Sequence, residues 1–444
     1  MNCMQQTLFL TGSTAADPSG VSFSRGYRPV MAGRPIGIDL FAGAGGLSLG
    51  FEQAGFDIAA CVEIDPIHCA THEFNFPNAA SICASVTDLT GEDIRCRSGI
   101  GDRDIDVVFG GAPCQGFSMI GKRALDDPRN KLVGHYVRLV RELHPKFCVF
   151  ENVKGLTVGR HLSFLKELMA ELEIAGYRVV VPYRVLNAAD YGVPQNRFRL
   201  FLLAHRTDQV ALTYPLSVGK KVTVAEAIRD LPDADAFCEL LASDSVRVLW
   251  RTETEYAKRL RGMANEPRNF SYPRMYEHDV LTCSNRTLHT LESIARFKNA
   301  EAGATEPVSR FFKLAQSGQC NTLRAGTDSA RGAYTSPRPI HPVFPRVITV
   351  REAARLHGYP DWFRLHVTKW HGFRQIGNSV PPPLGRAIAA MVMKAIGICP
   401  KKPKQAIQLG DTALLGLNMG QAAAHFGVRP SIAQRMRKKK GVSE

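Results

Sequence analysis

The chain has no two cysteines at Cys-x-x-Cys spacing, although it holds eleven. That spacing underlies most zinc ribbons, and a disulfide scaffold needs dense pairing, so neither is expected and no metal site is read. The odd count and scattered positions suit reduced thiols in a cytosol. Also missing is any apolar run of the ~18 residues needed to cross a bilayer. No basic segment followed by a long apolar core stands at the start, so export is not expected. The expectation is a cytoplasmic protein with no membrane partner. Acidic residues are in short supply: 41 Asp and Glu face 56 Lys and Arg, giving a formal net charge of +15. Such an excess of base points to a polyanionic partner. At 444 residues there is room for two or three domains and a large core.

What is present centres on residues 104–118. Asp104 to Phe109 is an apolar run that reads as a buried strand of a parallel sheet. It ends in Gly110-Gly111-Ala112-Pro113-Cys114-Gln115-Gly116-Phe117-Ser118, which puts a thiol at the carboxyl end of the strand. In an open α/β sheet that is where ligands sit. A lone cysteine is only a candidate nucleophile until partners are found. A second signal is Pro35 to Phe51, a short strand, a glycine-rich turn and then an amphipathic helix through Ala54. Glycines let a ligand approach the backbone, and the helix start offers free N–H groups. The next strand, Ile58–Val62, ends in Glu63, where an acid commonly holds ribose hydroxyls. The glycine spacing is not that of a dinucleotide site, and a cysteine nucleophile would be idle in a dehydrogenase.

Six stretches then occur in a fixed order. They are Asp39-Leu-Phe-Ala-Gly-Ala-Gly-Gly46, Pro113 to Ser118, Glu151-Asn152-Val153, Gln195-Asn196-Arg197-Phe198-Arg199, Arg351 to Leu356, and Gln375 to Pro381. Together they closely resemble the cytosine-C5 DNA methyltransferases, over roughly residues 36–397. The resemblance implies an α/β fold: a Rossmann-like mixed sheet with helices on both faces, as in S-adenosylmethionine-dependent methyltransferases, plus a smaller, irregular target-recognition domain. It implies S-adenosyl-L-methionine as cofactor and double-stranded DNA as partner. It also implies a monomer, with a cognate restriction endonuclease as a functional partner outside direct contact.

The same resemblance assigns roles. Cys114 is the nucleophile that adds to C6 of cytosine, and it needs positive charge nearby to lower its pKa. Glu151 meets the N3 edge of the base. Arg197 and Arg199 alternate along a strand and would share one face, suiting pyrimidine O2 and a phosphate, with Arg197 favoured. Phe41, Gly43, Gly45, Gly46, Leu47, Glu63, Ile64, Ser85, Pro113, Leu132, Asn378, Ser379 and Val380 are the expected cofactor contacts. Ser85 stands where the family usually has an acid.

The remaining chain supplies boundaries. Residues 1–34 read as a flexible leader, 35–205 as the first part of the catalytic domain, and 206–345 as the target-recognition domain. Residues 346–398 return to the catalytic domain as strand and helix, and 399–444 form a basic tail. Helical spacing marks 136–143 and 161–176 as sheet-covering helices, and Gly385 to Ile396 as a closing helix. Val179 to Val185 and Arg199 to Ala204 read as strands. The polar segment 119–134 reads as a loop that closes over DNA. Arg324, Arg331, Arg338 and Arg346 lie among Gly, Ser and Pro, as in loops that reach a groove. The tail carries nine Lys or Arg against two acids, and residues 418–436 resemble a helix-turn-helix. Two other functions fit part of this pattern: a tRNA cytosine methyltransferase with the same pocket, and a catalytically silent DNA-binding regulator.

Overall fold

The computed structural model describes residues 26–113, 131–159, 161–250, 254–326 and 338–430. An eight-stranded sheet forms the centre, in the order β3-β2-β1-β4-β5-β8-β6, with β7 also paired to β8. The strands are β1 (Ile36–Leu40), β2 (Asp57–Glu63), β3 (Ala80–Cys83), β4 (Val107–Gly110), β5 (Phe147–Val153), β6 (Tyr177–Val179), β7 (Arg184–Asn187) and β8 (Phe198–Arg206). The first five run parallel, and β8 runs antiparallel to β5, β6 and β7. The order reverses between β1 and β4, so the crevice beyond their carboxyl ends is a topological switch point. Both glycine-rich turns, after Leu40 and after Phe109, open into that crevice.

Alternation along the strands explains why both faces are buried. Val107, Phe109, Phe147, Val149, Phe201 and Leu203 enter one core. Their neighbours Val108, Cys148, Phe150, Leu200 and Leu202 enter the other. Strands buried on both sides read as unbroken apolar runs, as these do. Helices α3 (Gly91–Ser98), α4 (Lys131–Leu143) and α5 (His161–Ile174) carry Ile94, Tyr136, Leu139, Leu143, Leu165 and Leu172 onto the second core. Helix α1 (Gly46–Ala54) carries Leu47, Leu49 and Phe51 into the first core, and α2 (Pro66–Asn75) puts Cys69, Ala70 and Phe74 into a smaller cluster of its own.

Helix α1 is not amphipathic as its sequence suggests: all nine of its residues are buried. A late helix covers its outer face. A Cβ on Gly50 would lie 2.7 Å from the backbone nitrogen of Arg386, so only glycine admits that approach. The expected strand Val179–Val185 is two strands, β6 and β7, around Pro182, which has no N–H to give a ladder. Helix α4 starts at Lys131, inside the segment read as a loop. Residues 26–34, read as part of the leader, are instead tied to the core. Arg34 is buried, ion-paired to Asp57 at 2.7 Å, and bonded to the carbonyls of Phe56 and Phe270. Tyr27 donates to Asp57 at 2.6 Å. Residues 1–25 lie outside the described residues.

Beyond β8 come α6 (Val224–Ile228), β9 (Val246–Arg247), α7 (Glu255–Leu260), β10 (Arg274–Met275), β11 (Val280–Leu281) and α8 (Leu291–Asn299). These short pieces match the loose periodicity of the segment. The return segment holds α9 (Val350–His357), α10 (Lys369–Asn378) and α11 (Pro382–Ile396). Its expected strand is only an isolated bridge from Val347 to Ile340. Arg355 of α9 pairs with Asp230 at 3.0 Å, and Arg351 donates to Thr282 at 2.7 Å, so this helix ties the inserted segment to the catalytic core. Arg346 does not reach a groove. It is buried between Asp233 and Glu352, at 2.9 and 2.8 Å. Arg338 is likewise turned inward, toward Thr287. Arg331 lies outside the described residues.

The tail is docked rather than free as far as Pro430. Its strand β12 (Ile407–Gln408) pairs with β10. Leu414, Leu415 and Phe426 pack on Cys69, Ala70 and Phe74 of α2. Helix α12 (Met419–His425) has a capping box from Asn418 and Gln421, and His425 meets Glu73 at 3.0 Å. This is the first half of the expected helix-turn-helix; the second half lies outside the described residues.

Candidate active site

The turn after β1 is built from backbone that only special residues tolerate. Gly43 and Gly45 have φ of 56° and 96°, and Phe41 itself sits at φ 62°. A phenylalanine there is strained, a cost usually tolerated at functional sites. Gly45 caps α1, and a Cβ on it would come within 2.5 Å of the Phe76 ring. Glu63, at the end of β2, ties the turn down. Its carboxylate accepts the N–H groups of Gly43, Ile64 and Asp65, each at 2.9 Å. One acceptor position on Oε2 remains for a ligand. Ile64, just past the end of β2, is 66% exposed where residues 57–62 are buried, and a Cβ on Gly43 would meet nothing within 4 Å. An aliphatic face, a carboxylate and an open glycine backbone at a switch point fit an adenosyl group with a charged tail.

The far end of the chain reaches the same place. A Cβ on Gly46 would lie 2.5 Å from the Val380 carbonyl and 2.9 Å from Ser379. Asn378 is exposed beside them, at the end of α10. Phe41 and Leu132 both pack against the core that contains Leu40 and Phe150, while Leu47 is buried in the opposite core. Ser85 is engaged locally: its hydroxyl lies 2.7 Å from that of Thr87 and accepts the Thr87 N–H.

The turn after β4 meets the end of β5. Asn152 donates to the Ala112 carbonyl at 3.1 Å, holding the backbone that leads through exposed Pro113 toward the thiol. Cys114 and the expected closing loop up to residue 130 lie outside the described residues. Glu151 is buried beside this turn. A Cβ on Gly111 would lie 2.4 Å from its Oε2, so the glycine makes room for the carboxylate. Arg199 Nε pairs with Glu151 Oε1 at 2.9 Å. Burial pushes the Glu151 pKa up, and the charges of Arg199 and Arg197 only partly oppose it. The carboxyl is thereby brought nearer to a proton-donating form.

Arg197 and Arg199 do different things. Arg199 stands with Glu151 at the crevice. Arg197 precedes the first residue of β8 and is wholly buried. Its Nη1 donates to the Leu323 carbonyl, and its Nη2 to the carbonyls of Gly377 and Ser379, all at 2.8 Å. Arg197 is therefore a clamp between the inserted segment and the return segment, not a guanidinium open to a base. This reverses the order of preference expected from alternation alone.

Two groups carried no sequence assignment. Asp39 is buried at the end of β1 and accepts from Ser48 Oγ at 2.5 Å; Ser48 in turn lies 3.0 Å from His72 Nε2. Burial pushes Asp39 up to about 8, against the opposing Ser48 bond, and pushes His72 down to about 3. The second group, Gln195 and His357, lies beneath the Arg197 clamp. Ser48 stands 9 residues from Asp39 and 24 from His72, and His357 stands 162 from Gln195, so no local period marks either group.

A family model of C-5 cytosine-specific DNA methylases matches residues 37–394. The chain belongs to the C-5 cytosine-specific DNA methylases. It is accordingly a DNA (cytosine-5)-methyltransferase, and the family implies S-adenosylmethionine as methyl donor. It is 60% identical over 402 residues to the Type II methyltransferase M.XorII of Xanthomonas oryzae pv. oryzae, covering 90% of this chain and 95% of that one. It is 33% identical to the Type II methyltransferase M.DdeI of Desulfomicrobium norvegicum, over 80% and 88% of the two chains. A crystal structure described as a prophage-encoded DNA modification methyltransferase of E. coli superposes with a TM-score of 0.69. That pair is 33% identical, over 82% of this methylase and all of the other. Among the described residues no helix is long and apolar enough to cross a membrane.

Proposed function

We propose that this methylase is a site-specific Type II modification enzyme that flips a cytosine from duplex DNA and attacks it covalently through Cys114. Flipping follows from access, because C6 is shielded within the base stack. The Cys114 thiolate would add to C6 and turn C5 into an enamine-like nucleophile. Glu151, with its raised pKa, would donate toward N3 and draw electron density from C6. Arg199 would meet the O2 side, giving up its bond to Glu151 in part as the base enters. Loss of the C5 proton and release of the thiolate then restore the ring. S-adenosylmethionine, when bound, supplies the electrophilic methyl group. Glu63 would take its ribose, Phe41 and Ile64 would flank its adenine, and the backbone of Gly43 to Gly46 with Asn378 to Val380 would border its methionine end. Pro113 and Leu132 would complete the wall, and Ser85 would stand near the adenine amino group in place of an acid.

The observation that carries this reading is the buried Glu151–Arg199 pair, packed against Gly111 three residues before Cys114. The +15 charge gives sequence-independent phosphate affinity, so DNA binding should weaken steeply with salt. The biological role would be protection of DNA against a cognate endonuclease, by a monomeric cytoplasmic enzyme. The test is a trap: duplex DNA carrying 5-fluorocytosine at the modified site, mapped first by bisulfite sequencing, is incubated with methyl donor. A denaturant-resistant adduct mapped by mass spectrometry to Cys114, and absent in Cys114→Ser, is the expected result. A folded, DNA-bound wild-type protein that forms none would sink the mechanism.

A further inference from the structure

Gln195 opens the motif that ends at Arg199, yet the crevice makes no use of it. Its side chain is fully buried. Oε1 accepts the Leu323 N–H at 3.1 Å. That fixes the amide, because the reversed orientation would set two N–H groups against each other. Nε2 therefore points at the Leu356 carbonyl, 3.2 Å away, and at Nδ1 of His357, 3.0 Å away. An amide nitrogen only donates, so Nδ1 accepts and the imidazole proton sits on Nε2. From there it is shared between the Ser379 carbonyl at 3.2 Å and Ser379 Oγ at 3.1 Å. Ser379 Oγ donates its own hydrogen bond to the Ile376 carbonyl at 2.9 Å. Every bond runs in one direction, from Leu323 to Ser379, so each polarises the next. Burial first, and then the Arg197 charge, hold the His357 pKa well below its ordinary value, so the ring stays neutral and in one tautomer.

Arg197 forms a second link in parallel, with Nη1 on the Leu323 carbonyl and Nη2 on that of Ser379. Leu323 is thus held at both its N–H and its C=O. The two ends of this double link face different ways. Leu323 lies between half-buried Thr322 and exposed Arg324, in the inserted segment. Ser379 presses on Gly46 at the cofactor turn. The backbones also touch directly, since a Cβ on Gly377 would lie 2.2 Å from the Ala325 nitrogen.

We propose that Gln195 and His357 are positioning residues that couple DNA engagement at Thr322–Arg324 to cofactor binding at Asn378–Val380. A displacement of Leu323 by DNA changes the direction of the Gln195 amide, and His357 transmits it to Ser379. By linkage the coupling must act equally in both directions. This rests on the functional reading above, in which Asn378–Val380 border the methyl donor, and on the sequence expectation that exposed Arg324 reaches a groove of DNA.

The test measures S-adenosylhomocysteine binding to the full chain by calorimetry, with and without a duplex oligonucleotide carrying the mapped site. DNA should tighten wild-type binding by about fivefold or more. In His357→Leu and in Gln195→Glu the ratio should fall toward one. In His357→Gln it should return, because an amide can accept from Gln195 and donate to Ser379 along the same line. A role in structure alone would weaken binding equally in both conditions and leave the ratio unchanged. If His357→Leu fails to fold, Gln195→Glu carries the test, being isosteric and still able to accept from Leu323. A wild-type ratio in the folded variants overturns the coupling, as does a ratio of one in the wild type. A wild-type chain that binds neither ligand overturns the functional reading itself.

Discussion

Replacing Arg197 and Arg199 by the same residue should separate stability from catalysis. Arg197→Gln removes three bonds of 2.8 Å to the carbonyls of Leu323, Gly377 and Ser379, in a site with no water access. Bonds to a charged donor contribute roughly 1.5–3 kcal/mol each, and a stranded buried carbonyl costs about 1–3 kcal/mol. The three share one guanidinium and will not add fully, and glutamine can recover one of them. A loss of about 4 kcal/mol is expected, a large part of the roughly 5–15 kcal/mol that holds a folded protein. Arg199→Gln breaks one ion pair, and its partner Glu151 already has a raised pKa, so the carboxyl can take a proton rather than remain as a buried charge. That loss should stay under about 2 kcal/mol. Methyl transfer should behave oppositely, falling about 100-fold or more in Arg199→Gln at a temperature where the protein is folded. Urea midpoints followed by circular dichroism, beside transfer of labelled methyl to DNA, give both quantities. If Arg199→Gln is the less stable of the two, or if folded Arg197→Gln alone loses transfer, the division of labour is wrong.

Three further outcomes follow from single contacts. Gly111→Ala places a Cβ 2.4 Å from Glu151 Oε2, so the carboxylate must move; transfer should drop about 100-fold or more while the urea midpoint shifts little. Asp39 titrates near 8 in the fold but near 3.8 when unfolded, so the folded state holds its proton longer and stability declines as pH rises between those values. Asp39→Asn should flatten the stability profile between pH 5 and 8 by up to about 1.4 kcal/mol per pH unit, and parallel profiles would refute this. Arg274 grips Glu52 with two bonds of 2.8 Å, both side chains buried. Arg274→Met should cost about 3–5 kcal/mol, and adding Glu52→Met should recover most of it, which thermal melts of the single and double variants will show.

The sheet and its crevice were legible because they depend on neighbours in sequence. Unbroken apolar runs such as Phe147–Phe150 meant strands buried on both faces, and glycines after β1 and β4 marked the two turns at the switch point. Glu63 and Glu151 stood out as acids closing such runs. What stayed hidden depends on partners far along the chain. Nothing in Gly46–Ala54 says that its polar-looking face is covered, since the covering helix begins at Pro382. The short strand pieces of the inserted segment have no period to read. Residues 26–34 looked like a leader because Arg34 finds its partners at Asp57 and Phe270.

The two motif arginines show the limit most sharply. Alternation puts Arg197 and Arg199 on one face of a strand, but β8 begins at Phe198 and Arg197 stands just before it. It does not say which one has both terminal nitrogens engaged by carbonyls 126 and 180 residues away. A guanidinium carries five N–H donors, and a buried one turns them toward whatever backbone folds over it. The residue nearer the start of a strand is the one that the returning chain covers, and the one further in meets the next strand's acid. In a site assembled from two distant segments, the arginine that looks most exposed to ligand by pattern is therefore the one most readily consumed as a clamp. The guanidinium left at the crevice is the one paired with the buried carboxylate of Glu151.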